Sequence, residues 1–200
     1  MYKKRILWIA QTAIFIALLV SVQAITRPFG QFVTGSCVNF LLVTSAILVG
    51  LPSAAVIAVI SPIGAFLILG IPAFPIIIPF MMAGNLVLVT AIHFITGKSF
   101  DNLNLIAYLR IGTAVATGAV LKFLILWIGI VQITLPFIPD IRQAQIDAMA
   151  VVFSWPQLVT ALIGSILAMT IIPILKKALK KQDKSLSHND KNGAVQEHTQ

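Results

Sequence analysis

Residues 105–131 read LIAYLRIGTAVATGAVLKFLILWIGIV, an apolar run of 27 residues with only two charged side chains, Arg110 and Lys122. A helix needs roughly 20 mostly apolar residues to cross a bilayer. The run therefore predicts a membrane-spanning helix that carries one cation, Lys122, deep inside it.

The whole chain has the composition of a membrane protein. Its 200 residues are 58% hydrophobic and 10% charged, and the mean hydropathy is +0.99. Soluble domains carry about 25% charged residues, so this composition excludes a water-soluble enzyme. It also excludes disorder for most of the length, because a disordered chain needs low hydrophobicity and high net charge.

Proline, glycine and charged residues divide the chain into six apolar runs. We therefore predict an all-α integral membrane protein, a bundle of six transmembrane helices over residues 1–180, followed by a polar, disordered tail over 181–200. The second and third runs are short and predict a tight helical hairpin. The six runs are Ile6–Ile25, Val38–Gly50, Pro52–Leu69, Pro75–Ile95, Leu105–Val131 and Trp155–Leu175.

The cations lie at the two ends of the chain. Of 14 Lys and Arg residues, three precede the first apolar run and six lie at or after the end of the last one. Membrane proteins keep such residues on the cytoplasmic side, so both termini are expected in the cytoplasm, which requires an even number of spans. No basic face with interleaved aromatic residues is left for a phosphate backbone, and we expect no nucleic-acid partner.

The sequence contains no catalytic or metal-binding pattern. Cys37 is the only cysteine, the three histidines have no ligand spacing inside the apolar runs, and all six acidic residues lie in predicted loops or the tail. A phosphate-binding GxxxxGK[ST] loop is also absent. We expect no enzyme, no metal and no cofactor, and any transport must draw its energy from a source outside this chain.

Three predicted outer connections have unusual compositions. Residues 26–35, TRPFGQFVTG, combine a cation, aromatic rings and hydrogen-bonding groups, which suits either a loop that closes over a small solute or a plain connector. Residues 70–75 predict a stiff turn. Residues 141–153 predict an amphipathic helix on the outer surface that acts as a movable lid.

Lys122 lies about nine residues from the outer end of its helix, roughly 13 Å deep at 1.5 Å per residue. Burying an unpaired ammonium costs several kcal/mol. Three interpretations are open: Lys122 extends to the outer interface, it faces a wet cavity for an anionic or strongly polar solute, or Asp140 or Asp147 folds inwards to pair with it.

Other polar residues are predicted at the same level. Asn85 lies near the middle of its helix and serves either the cavity or an interhelical hydrogen bond. Trp155 serves either the site or the aromatic belt of the interface. The predicted substrate-binding residues are Arg27, Asn39, Asn85, Lys122, Trp155 and Gln157.

The first helix carries two small residues one turn apart, Ala13 and Ala17. Small side chains let a second helix approach closely in a membrane. This face is expected to contact either a partner subunit or the other helices of the same chain.

A resemblance to a known family is carried by Lys3-Lys4-Arg5, by Ala13-x-x-x-Ala17, and by the run from Phe29 to Gly70 with GSCVNF at 35–40 and Ser61-Pro62. Together these features resemble the substrate-binding (S) components of energy-coupling factor (ECF) transporters, the multi-pass plasma-membrane proteins that serve vitamin uptake in prokaryotes.

The resemblance implies a division of labour between subunits. Ala13 and Ala17 would pack against a transmembrane coupling protein of the EcfT type, which two cytoplasmic ATPases drive. The chain itself would bind a vitamin-like small molecule near the outer face. Lys122 with Arg27 suits a carboxylate- or phosphate-bearing vitamin such as pantothenate, with pyrimidine precursors and corrinoids left open.

The alternative is an autonomous small secondary carrier or a membrane scaffold subunit. A secondary carrier typically has inverted repeats or broken helices with ion ligands at mid-depth. The sequence contains no clear repeat, although Pro62 is in a position to break the third helix.

Overall fold

A computed structural model describes residues 2–97, 99–100, 104–139 and 141–197, and over these residues the chain is helical without a strand. Short 3₁₀ turns at Arg27–Phe29, Pro75–Ile77 and Leu135–Phe137 and a π-helical segment at Trp127–Thr134 join or extend the α-helices. The α-helices are α1 Tyr2–Thr26, α2 Gly30–Leu48, α3 Leu51–Leu69, α4 Ile78–Thr96, α5 Leu105–Leu126, α6 Gln143–Val152 and α7 Trp155–Glu197.

Five helical stretches among the described residues are long and apolar enough to cross a membrane. This agrees with the predicted all-α membrane architecture, because each stretch exceeds the roughly 17 residues that a span requires. The five stretches are Arg5–Leu48, Leu51–Leu69, Pro75–Thr96, Leu105–Phe137 and Gln143–Ala178.

The first of these stretches reverses direction. Thr12 Oγ1 and Ser53 Oγ are hydrogen-bonded at 2.7 Å, and further along the same two helices Gln23 Nε2 donates to Ser61 Oγ at 3.4 Å. Helices α1 and α3 therefore run side by side in the same direction. Helix α2 joins the far end of α1 to the start of α3, so it runs back between them. Gly30, with a φ of 80°, lies at the reversal, where a residue with a Cβ would be strained.

The second helix begins earlier than predicted. It starts at Gly30 rather than at Val38, so most of the predicted loop at 26–35 is the first turn and a half of α2. Only Arg27–Phe29 form the connection between α1 and α2. The prediction of a loop there was wrong, because the polar residues of this segment are typical of loops but lie on a helix here.

Three other expectations concern α6, Pro62 and the C-terminal residues. Helix α6 confirms the helix predicted within 141–153, and its movement as a lid stays a prediction. Pro62 lies inside α3, which continues unbroken to Leu69. Helix α7 continues to Glu197, past residue 181, where the disordered tail is predicted to begin; the domain boundary itself stays a prediction.

The bundle has two different ends. Lys176 Nζ lies 5.6 Å from the centre of the Phe100 ring, which follows α4, and Arg5 lies at the start of α1. We call this the basic end. The opposite end contains the 3₁₀ turns and α6, and we call it the α6 end. A small hydrophobic cluster with Ile77, Leu126 and Phe153 packs beneath α6.

Candidate functional site

A cavity of about 360 Å³ opens among the helices at the α6 end. Small-molecule sites typically occupy about 300–1,000 Å³. Its walls come from all seven helices and from the turn at 71–73. The polar side chains that line it are Gln23, Gln31, Thr34, Asn39, Ser61, Asn85, Lys122 and Gln157, and the larger apolar ones are Val38, Ile71, Met81, Leu126, Met149, Val152 and Phe153.

Lys122 lies on the wall of this cavity and is only 4% exposed. Its Nζ donates hydrogen bonds to Asn39 Oδ1 at 2.6 Å and to Asn85 Oδ1 at 2.7 Å. The side chain therefore points into the bundle and does not extend to the interface. Asp147 and Asp140 were the two acidic residues predicted as possible partners of Lys122. Asp147 lies on α6, where its Oδ1 accepts a hydrogen bond from Gln143 Nε2 in an exposed position. Asp140 lies outside the described residues.

Neighbouring groups orient the two asparagine amides. Asn39 Nδ2 donates to Thr160 Oγ1 at 3.5 Å, and Asn85 Nδ2 donates to the carbonyl oxygen of Ala58 at 3.3 Å. These bonds leave both amide oxygens directed at the ammonium. The arrangement links α2, α3, α4, α5 and α7 around Lys122, and Asn85 therefore makes an interhelical hydrogen bond as well as lining the cavity.

Four of the six predicted site residues share this cavity. Besides Lys122 and the two asparagines, Gln157 lines it, and Gln157 Nε2 donates to the carbonyl oxygen of Val152 at 3.1 Å. This bond ties the start of α7 to the end of α6.

The other two predicted residues, Arg27 and Trp155, do not line the cavity. Arg27 is exposed, and its Nη1 donates to the carbonyl oxygen of Leu69 at 2.9 Å, one of the free carbonyls that every helix end presents. Trp155 is 57% exposed, and its ring centre lies 5.6 Å from that of Phe32. Gln157 lies two positions after Trp155, about 200° around the helix, so the two side chains point in different directions.

Several polar residues of the cavity were not predicted from the sequence. Gln23 is 7% exposed, and neither its Oε1 nor the buried Thr34 Oγ1 has a hydrogen-bond partner in the part of the chain that the structure describes. Ser61 accepts the one bond that Gln23 Nε2 donates. A glutamine within an apolar first helix was the available signal, since an amide at membrane depth is costly unless it is bonded.

Ala13 and Ala17 are exposed on the outside of α1. Ala10 and Ala24 are exposed as well, so small side chains follow the length of this helix. The alternative that Ala13 and Ala17 pack within the bundle is therefore wrong.

No protein-family model, curated protein or solved structure matches the chain. Among the residues that the structure describes, no group of three His, Cys, Asp or Glu side chains is placed to hold a metal ion. The functional assignment therefore rests on the cavity. Its walls combine the buried ammonium of Lys122, amide and hydroxyl groups, and apolar side chains. Such a cavity is suited to binding a small polar solute.

Proposed function

We propose that the chain is the substrate-specific binding subunit of an ECF-type importer. It captures a vitamin or a related micronutrient at the outer face of a prokaryotic plasma membrane, and partner subunits drive uptake with ATP. The observation that carries this proposal is the cavity around Lys122. A buried cation with two amide partners is an expensive arrangement in a membrane protein, and binding a solute gives a reason for it.

The orientation of the cavity follows from a six-span topology. In this topology Arg5–Leu48 makes two crossings, with the reversal at Gly30 between them, so that the proposed number of spans is six and both termini are on one side. The basic end carries Arg5, Lys176 and Lys177, and cations of this kind face the cytoplasm. The α6 end, with the cavity, then faces outwards.

The exposed alanines of α1 support docking to a partner in the membrane. Helix association in lipid depends on close packing, and the Ala13–Ala17 face is free to pack against a helix of the transmembrane coupling protein. Two cytoplasmic ATPases bound to that coupling protein supply the energy for transport.

Helix α6 controls access to the cavity in this proposal. Its residues Ala148, Met149 and Val152 line the cavity, and a solute enters when α6 and the following turn move aside. The alternative, an autonomous secondary carrier, has less support because α3 continues through Pro62 without the break that such carriers use at their ion sites. A membrane scaffold subunit would need no such cavity.

Calorimetry with the purified chain tests the proposal. We expect one compound from a panel of water-soluble vitamins to bind at one site per chain, with a dissociation constant in the nanomolar-to-micromolar range. Val152→Trp, which fills the cavity, should abolish this binding, whereas Val151→Trp should not, because Val151 is 58% exposed on the other side of α6. Absence of binding across the whole panel would contradict the proposed function.

A further inference from the structure

The charge of the cavity restricts what it can hold. Among the described residues that line it, Lys122 is the only charged one. Arg27 lies outside the cavity, and none of these described lining residues is a carboxylate. A single negative charge would neutralise the site. A phosphate monoester would bring a second, uncompensated charge, and an ammonium would meet like charge, both of which are costly at low dielectric.

The hydrogen bonds at Lys122 leave room for one acceptor. An ammonium has three N–H donors, and Asn39 and Asn85 accept two of them. Each of these asparagines also has a second N–H beyond the one it donates to its neighbour. A carboxylate, which accepts several bonds through two oxygens, matches this set of donors.

A second polar position on the cavity wall is suited to a hydrogen-bond donor of the solute. Gln23 Nε2 donates to Ser61, so Gln23 Oε1 is an acceptor that lies buried without a partner among the described residues. The buried hydroxyl of Thr34, which can donate or accept, has none among them either. Leaving such a group unpaired costs about 1–3 kcal/mol. The donor is expected to be neutral, because none of the described residues that line the cavity is a carboxylate that would balance a charged amine.

We propose that the solute is a monocarboxylic acid with a neutral N–H or O–H donor, bound with its carboxylate on Lys122 and its donor on Gln23. Its apolar part contacts the apolar walls of the cavity, which include Met81, Leu126 and Met149. This inference rests on the proposed function and names the substrate class of the same cavity.

The experiment compares acids with their uncharged counterparts on the purified chain. The matched pairs are pantothenate with panthenol and biotin with biotinamide, and the phosphorylated form of pantothenate tests the second charge. We expect the acid of at least one pair to bind 10-fold or more tightly than both its neutral counterpart and any phosphorylated form. Equal or tighter binding of the neutral or phosphorylated compound would overturn the inference.

Variants assign the effect to Lys122. Lys122→Met should weaken binding of the acid by about 10- to 100-fold and abolish the preference for the acid, whereas Lys122→Arg should retain the preference. Arg27→Met removes a cation outside the cavity and should change neither. If Lys122→Met does not fold, the matched pairs with the unmodified chain decide the question.

The two proposals fail in different ways. If a vitamin binds with no preference for a carboxylate, the substrate class is wrong and the binding function remains. If none of the acids, neutral counterparts or other vitamins binds, both proposals are wrong.

Discussion

Replacing Ala13 and Ala17 together with tryptophan is expected to abolish solute uptake in intact cells while binding to the purified chain stays unchanged. Both alanines are exposed on α1 and neither lines the cavity. Two indole rings would prevent a coupling-protein helix from approaching closely, so the solute would be captured but not transported. Uptake of labelled solute and calorimetry measure the two effects separately.

A matched control uses the adjacent face of the same helix. Ile14 and Leu18 are 64% and 46% exposed and lie about 100° around α1 from the alanines. Ile14→Trp with Leu18→Trp should retain uptake. An equal loss of uptake in this control, or a loss of binding in the alanine variant, would show that Ala13 and Ala17 are not a partner surface.

Gly164→Ala is expected to destabilise the protein and to weaken solute binding. A Cβ at Gly164 would clash with the carbonyl oxygen of Ser36 and would lie 2.7 Å from both Asn39 Cβ and the backbone nitrogen of Phe40. Backbone atoms cannot give way locally, so α2 must move from α7 and carry Asn39 away from Lys122. Overpacking of this kind costs about 1–3 kcal/mol or more.

Gly112→Ala is the control for this variant. Gly112 lies within α5, and an added Cβ would have no atom within 4 Å. Alanine should there stabilise the helix by about 0.5–1 kcal/mol. Thermal unfolding in detergent and calorimetry compare the two variants. A Gly164→Ala protein with unchanged unfolding temperature and affinity would refute the close α2–α7 contact.

The sequence predicted the helical architecture because apolar runs of this length have few other solutions. It failed at the start of α2. Gln31 and Thr34 have the polarity of a loop, but both lie on a helix, are partly buried and line the cavity. Polar residues are typical of a cavity wall as well as of a loop, and one sequence does not distinguish these two causes.

The candidate site could be predicted in part. A lysine within an apolar helix pointed to the cavity, and two asparagines on other helices proved to be its partners. Tertiary packing decides which helices meet around Lys122. The residues alone therefore could not predict that Gln23 lines the cavity or that Arg27 lies outside it. The same packing decides which side of α7 faces the cavity. Gln157 lies on that side and Trp155 does not.

Reconstitution of the chain alone into vesicles tests most directly the central claim, that the protein binds a solute but does not drive its transport. With the solute identified by calorimetry and an imposed proton or sodium gradient, we predict retention of about one solute molecule per accessible chain, equal with and without the gradient. Accumulation that rises with the gradient and collapses when ionophores remove it would contradict the account and identify an autonomous carrier.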